Sequence, residues 1–202
     1  SSLVRLILRF HDVTGCTVLV DGMDVRDYPL EELRGRIGMV PQTNVLFISN
    51  IRENLLWGDP NVTEEDMIRA AKDAKAYDFI MSFPDGFDTV LDQGGVNVSG
   101  GQKQRLCIAR AMLRKPAILI LDDSTSAVDS ATDAAIRESF AKNLKGTTVI
   151  MIAQRISSVQ YADEIIILDD DHIAGQGTHE ELLASNSIYQ EIYRSQQEGV
   201  GE

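Results

Sequence analysis

Apolar residues recur along this chain at two periods. Leu3, Leu6, Ile7 and Phe10 share one helical face, so residues 1–10 read as the opening of a helix. Cys16 to Val20 alternates as a strand. Asp21-Gly22 supplies a turn, after which Met23 to Val25 can pair back as a hairpin. A short helix over 29–34 and a strand over 37–40 follow, the strand stopping at Pro41. From Thr43 to Gly95 the pattern changes to helices and loops. Thr63 precedes three acids and predicts an N-cap, with Met67, Ala70, Ala71 and Ala74 as the apolar face behind it. Residues 77–83 form a second helix, stopped by Pro84. A long amphipathic helix begins after Gly101, runs to about Arg114 and is closed by Pro116.

The remainder alternates between strand and helix. Residues 117–121, 147–152 and 164–168 read as buried strands, with a helix over 131–144 between the first two. Asp169-Asp170-Asp171 turns into a strand over 172–176, and helices over 180–185 and 188–196 follow. Apolar strands alternating with helices predict an α/β fold, a parallel sheet covered on both faces. No internal repeat or flexible linker interrupts it.

Composition narrows the class. The 202 residues carry 31 acidic against 19 basic side chains, a formal charge of −12. That balance suits solubility and argues against coating nucleic acid. Cys16 and Cys107 lie in apolar surroundings without metal-ligand spacing, and read as small core residues in a reducing compartment. No apolar run approaches the ~18 residues of a membrane span, and no signal peptide is expected. Service to a membrane would need other segments or chains to cross it.

Two stretches carry chemistry. In Ser99-Gly100-Gly101-Gln102, two glycines open a helix and leave backbone N–H groups available to an anion such as a phosphate. In residues 118–123, an apolar strand ends in Asp122-Asp123. Ligands of parallel sheets bind at that edge, where a carboxylate can hold Mg²⁺ through water. Each stretch alone has an ordinary reading, as a glycine-containing cap and as an acidic turn.

In order, Gln42, Ser99-Gly100-Gly101-Gln102, Asp122-Asp123 and Ser126-Ala127-Val128-Asp129 resemble the glutamine loop, signature, Walker B strand and D-loop of the ABC ATPases. Residues 24–34, 40–42, 46–47, 51–55 and 177–182 resemble bacterial exporters of multidrug or lipid type. The resemblance implies a P-loop NTPase-like parallel sheet flanked by helices, with an inserted ABC helical subdomain. It divides the chain into core (1–42), helical subdomain with signature (43–115) and core again (116–202). It also implies ATP and Mg²⁺ as cofactors. Ser1 and Ser2 would follow the Walker A lysine, with the Ser1 hydroxyl on Mg²⁺. Gln42 and Asp122 would reach the same ion. Ser99, Gly100, Gly101 and Gln102 would bind the γ-phosphate of a nucleotide held by a second such domain, with Asp129 in the facing loop. The implied partners are that second domain, in a head-to-tail dimer, and transmembrane domains docked on the helical subdomain. The implied place is the cytoplasmic face of a bacterial membrane.

Departures from the family pattern are equally specific. The glycine-rich loop and its lysine are absent, so the chain as it stands is expected to be inactive alone. Asp123 stands where the family has the glutamate that polarises the attacking water. Gln154, in Ile152-Ala153-Gln154-Arg155, stands where it has the switch histidine. Aspartate is one methylene shorter, and a displacement of about 1 Å can cost roughly 100-fold in rate. Glutamine can hydrogen-bond a phosphate but cannot carry the histidine's proton. Gln93 likewise replaces a glutamate. The combination resembles the degenerate subunit of heterodimeric exporters. The alternatives are a homodimeric exporter that tolerates these changes, a soluble ABC ATPase of DNA repair or translation, and a pseudo-ATPase that only docks.

Overall fold

The computed structural model describes residues 2–123 and 127–198, with the backbone alone for Ser2. It divides into two compact units, residues 1–152 and 153–202.

The first unit opens with α1 (Ser2–Ile7), the hairpin β1 (Leu19–Val20) and β2 (Met23–Asp24), α2 (Leu30–Arg36) and β3 (Ile37–Val40). Next come β4 (Ser49–Asn50), α3 (Ile51–Leu56), α4 (Glu64–Asp73), α5 (Tyr77–Ser82), β5 (Val90–Leu91) and α6 (Gly100–Leu113). It closes with β6 (Ile118–Asp122), α7 (Ser130–Asn143) and β7 (Thr148–Ile152).

Its centre is a parallel sheet of order β3-β6-β7. Strand alternation sends β6 to two cores. Leu119 and Leu121 pack with α3 to α7, including Leu55, Ile80, Ile108 and Ile136. Ile120 faces the other way, against Val4, Leu8, Val25 and Leu33. The sheet is therefore covered on both faces, as the alternating pattern predicts. β7 is its edge and only half-buried, not the buried strand its apolar run suggests.

The helical stretch forms as its caps dictate. Thr63 Oγ1 accepts the Asp66 N–H at 3.1 Å, and Met67, Ala70, Ala71 and Ala74 are buried behind it. Gly58, just past α3, meets the backbone of α6. A Cβ there would collide with the Arg110 carbonyl.

The second unit contains α8 (Ile156–Val159), the hairpin β8 (Ile165–Asp169) and β9 (His172–Gly177), α9 (His179–Ser185) and α10 (Ser187–Glu198). Thr178 and Glu181 form a capping box that starts α9.

Three further expectations need correction. The buried pair is Val4 in α1 and Leu8 just past its end, while Leu3 and Phe10 are 57% and 50% exposed. An i,i+4 pair suffices for so short a helix. Cys16 is exposed at φ +62°, because the strand begins only at Leu19. Cys107 alone is buried. The run over 164–168 is not a buried strand of the parallel sheet. β8 pairs antiparallel with β9, burying Ile165 and Ile167 and exposing Ile166 and Leu168. A short apolar run cannot by itself distinguish the two settings.

Gly58→Ala is expected to cost about 2 kcal/mol, since overpacking against backbone cannot relax by a rotamer change. Urea unfolding would show this as a lower midpoint at unchanged slope.

Candidate functional site

The parallel register builds the first half of the site. Val40 lies opposite Leu121, so continuing both strands by two residues brings Gln42 beside Asp123. Gln42 Nε2 donates to Asp123 Oδ2 at 3.3 Å, across 81 residues of sequence. Asp122 ends β6 and is 8% exposed, opposite Ile152 of β7. Asp123 leaves the strand at φ +47°, and its N–H donates to the Ile152 carbonyl at 2.9 Å. A left-handed residue turns the chain sharply at the strand end. Aspartate tolerates that conformation better than most non-glycine residues.

The second half is the start of α6. Ser99 Oγ accepts the Gln102 N–H at 3.2 Å, and Gln102 Oε1 accepts the Ser99 N–H at 2.8 Å. This capping box occupies two donors. The N–H groups of Gly100 and Gly101 belong to the first turn and have no intrahelical acceptor. They are the donors left for an anion, on the positive end of a 14-residue helix. The glycines also admit a neighbour: a Cβ on Gly101 would come within 2.9 Å of the Ala127 carbonyl oxygen. Buried Gln104 completes the contact, its Oε1 accepting the Ala127 N–H at 3.1 Å.

Two arginines of α6, Arg105 and Arg110, interrupt its buried face. Arg105 donates to the carbonyls of Gly101 (3.3 Å) and Lys75 (2.6 Å) and stacks on Phe79. Burial pushes its pKa down. Neither arginine was among the residues expected to matter. The signal was present, because a guanidinium inside the buried stretch from Gln104 to Leu113 must find acceptors in neighbouring loops.

Asp129 caps α7, accepting the Thr132 N–H at 2.9 Å. That backbone hydrogen bond, then the Thr132 hydroxyl, holds its carboxyl below the usual range. Gln154 lies in the second unit and is exposed. Its carbonyl accepts from Gln196 Nε2 at 2.7 Å. Ser1, the Ser2 side chain and Ser126 lie outside the described residues.

The donor set suits Mg²⁺ in kind. Gln42, Asp122 and Asp123 offer only oxygen as ligand atoms. Among the described residues no group of three or more His, Cys, Asp or Glu forms a metal cage. One or two carboxylates, supplemented by substrate phosphates and water, is the ordinary protein share of a Mg²⁺ site.

A two-faced parallel core with an amide and two acids at its carboxyl edge, and a glycine-opened helix start, is the form of a nucleotide-binding ATPase domain. The profile of the ABC transporter family matches residues 1–126. Multidrug export ATP-binding/permease proteins of Staphylococcus aureus strains NCTC 8325 and COL are each 44% identical over 196 residues. That is 97% of this chain and 34% of each relative. A solved bacterial Atm1-family ABC exporter with ATP bound superposes with a TM-score of 0.94 at 36% identity, covering 96% of this chain and 34% of that one. The chain belongs to the ABC transporter family, as an ATP-binding domain of the kind its multidrug-exporter members carry. It spans about a third of the length of those relatives. Among the described residues no helix is long and apolar enough to cross a membrane.

Gly101→Ala adds helix propensity of about 1 kcal/mol but drives a methyl into the Ala127 carbonyl. The expected net result is a loss of about 1–2 kcal/mol in urea unfolding.

For Asp129 the folded pKa lies below the unfolded value. Its stabilising effect is therefore complete above pH ~4 and fades as pH falls through the lower folded pKa. Asp129→Asn keeps the cap and should flatten that acid limb of the stability profile. Asp129→Ala should lower stability at neutral pH as well.

Proposed function

We propose that this chain is the ATP-binding motor of an exporter whose own hydrolytic half-site is impaired. The observation that carries the reading is Asp123: a carboxylate one methylene shorter than the family's glutamate, set at φ +47° and already accepting a hydrogen bond from Gln42. Gln154, which cannot supply a histidine's proton, points the same way.

Bound Mg-ATP supplies a phosphoanhydride whose hydrolysis can drive a conformational cycle. Asp122 and Gln42 are the groups that would hold the ion. Ser99, with the N–H groups of Gly100 and Gly101, would receive the γ-phosphate of a nucleotide carried by a second domain. Asp129 and Ala127 would line the facing loop, and Gln102 would keep the helix start rigid through the capping box. Asp123 would hold water less far forward than a glutamate does. The signature is intact, so it would complete a competent site on the partner while this half-site turns over slowly.

The helical subdomain (43–115), set between the two parts of the core (1–42 and 116–202), would dock transmembrane domains at the cytoplasmic face of a membrane. Its exposed aromatic stack supports that role. Phe47 and Trp57 lie 4.3 Å apart, with Trp57 66% and Ile48 68% exposed. Exposed apolar surface of this kind marks an interaction site.

The test is ATP turnover of the transporter that carries this domain, assembled with its partner domain. Asp123→Glu combined with Gln154→His should raise turnover roughly tenfold or more. Unchanged turnover in the double variant would sink the reading.

A further inference from the structure

Between Gln42 and Asn54 the chain crosses from the core to the helical part, and what holds it there decides where Gln42 sits. At the far end, buried Asn54 grips the backbone of Phe47. Its Oδ1 accepts the Phe47 N–H at 2.8 Å, and its Nδ2 donates to the Phe47 carbonyl at 3.0 Å. Nearer Gln42, Asn44 Oδ1 is buried without a hydrogen-bond partner. The hold comes from α6. Arg110 Nη2 donates to the Val45 carbonyl at 3.0 Å and to Cys107 Sγ at 3.5 Å, and the guanidinium lies 5.8 Å from the centre of the Phe47 ring. The base of Arg110 is itself fixed, because its carbonyl packs against Gly58. A planar donor fork on a rigid stem, bonded to a backbone carbonyl three residues from Gln42, is suited to setting a loop's position.

We infer that Arg110 is a positioning residue: it holds loop 41–48 on α6 and so keeps Gln42 facing Asp123. This inference deepens the proposed function and rests on it for the role of Gln42, but the contact itself can be read without any turnover. Loop 41–48 covers Cys107, which is 2% exposed and directed at the Val45 carbonyl. Alkylation of Cys107 therefore reports opening of the loop. Burial raises the thiol's pKa and Arg110 lowers it, so removing Arg110 would slow the intrinsic reaction. A faster reaction can then come only from exposure.

The experiment measures N-ethylmaleimide labelling of the Cys107 peptide by mass spectrometry, in the transporter that carries this domain, together with ATP turnover. Arg110→Ala should accelerate labelling about tenfold or more, and Arg110→Lys should restore much of the protection. In the Asp123→Glu, Gln154→His background, where this half-site is expected to turn over, turnover should fall in Arg110→Ala and in Gln42→Ala, with the two changes together no worse than Gln42→Ala alone, because one acts through the other. Unchanged labelling in Arg110→Ala, or losses that multiply when the two changes are combined, would overturn the inference. Accelerated labelling with no turnover in the parent would uphold the hold on the loop and count against the proposed function instead.

Discussion

Strand β6 is paired on both edges and packed on both faces, and this constraint organises the first unit. Leu119, Ile120 and Leu121 are each at most 1% exposed. A strand so placed has no position along its length where a polar side chain could find water or a partner, and an unpaired buried charge is costly. Charge can therefore appear only where the strand runs out. Asp122 and Asp123 stand at that point, and the parallel neighbour β3 ends at the same level. Two polar strand ends are brought side by side by the pairing that buries everything before them.

The same logic applies to α6. Eight of its 14 residues are buried, from Gln104 through Leu113, so the helix is enclosed rather than amphipathic on a surface. Its start must then satisfy its first donors locally, which the Ser99–Gln102 capping box does in part. Its two arginines must find acceptors in whatever packs against them. They find backbone carbonyls: Gly101 and Lys75 for Arg105, and Val45 for Arg110. A charged donor on a carbonyl is a stronger bond than a neutral one. The helix that opens on glycines is thus fastened to both the α4–α5 junction and the loop that carries Gln42.

What could be read in the sequence follows from how local each signal is. Thr63 and Ser99 announce their helices because a cap needs only the next three residues. The strand over 37–40 and its stop at Pro41 are likewise local. Gln42 and Asp123 could each be named by resemblance, but their contact depends on strand register. Register is set by all the packing at once. The role of β8 was missed for the same reason: an apolar run is compatible with a buried parallel strand or with one face of a hairpin, and only its partner decides. Cys16 shows the converse error. Alternation over a few residues suggested a strand, but only Leu19 and Val20 pair with the next strand, leaving Cys16 in a left-handed turn at the surface.

The strong negative charge of the chain then takes on a more specific meaning. An ATP-binding domain with a formal charge of −12 cannot attract a polyanion by its overall field, which would repel it. Any attraction has to act at short range, within the Debye length of roughly 8 Å at physiological salt. Several of the acids are already engaged locally: Asp24 by Arg26, Asp66 by Lys115, Asp129 by the N–H groups of α7. The donors suited to a phosphate are backbone N–H groups, which bring partial positive charge without adding to the net charge and do not titrate. The two glycines at the head of α6 provide such donors where a side chain at Gly101 would strike Ala127. In an acidic domain, a phosphate held through backbone geometry would leave its site independent of the surface charge.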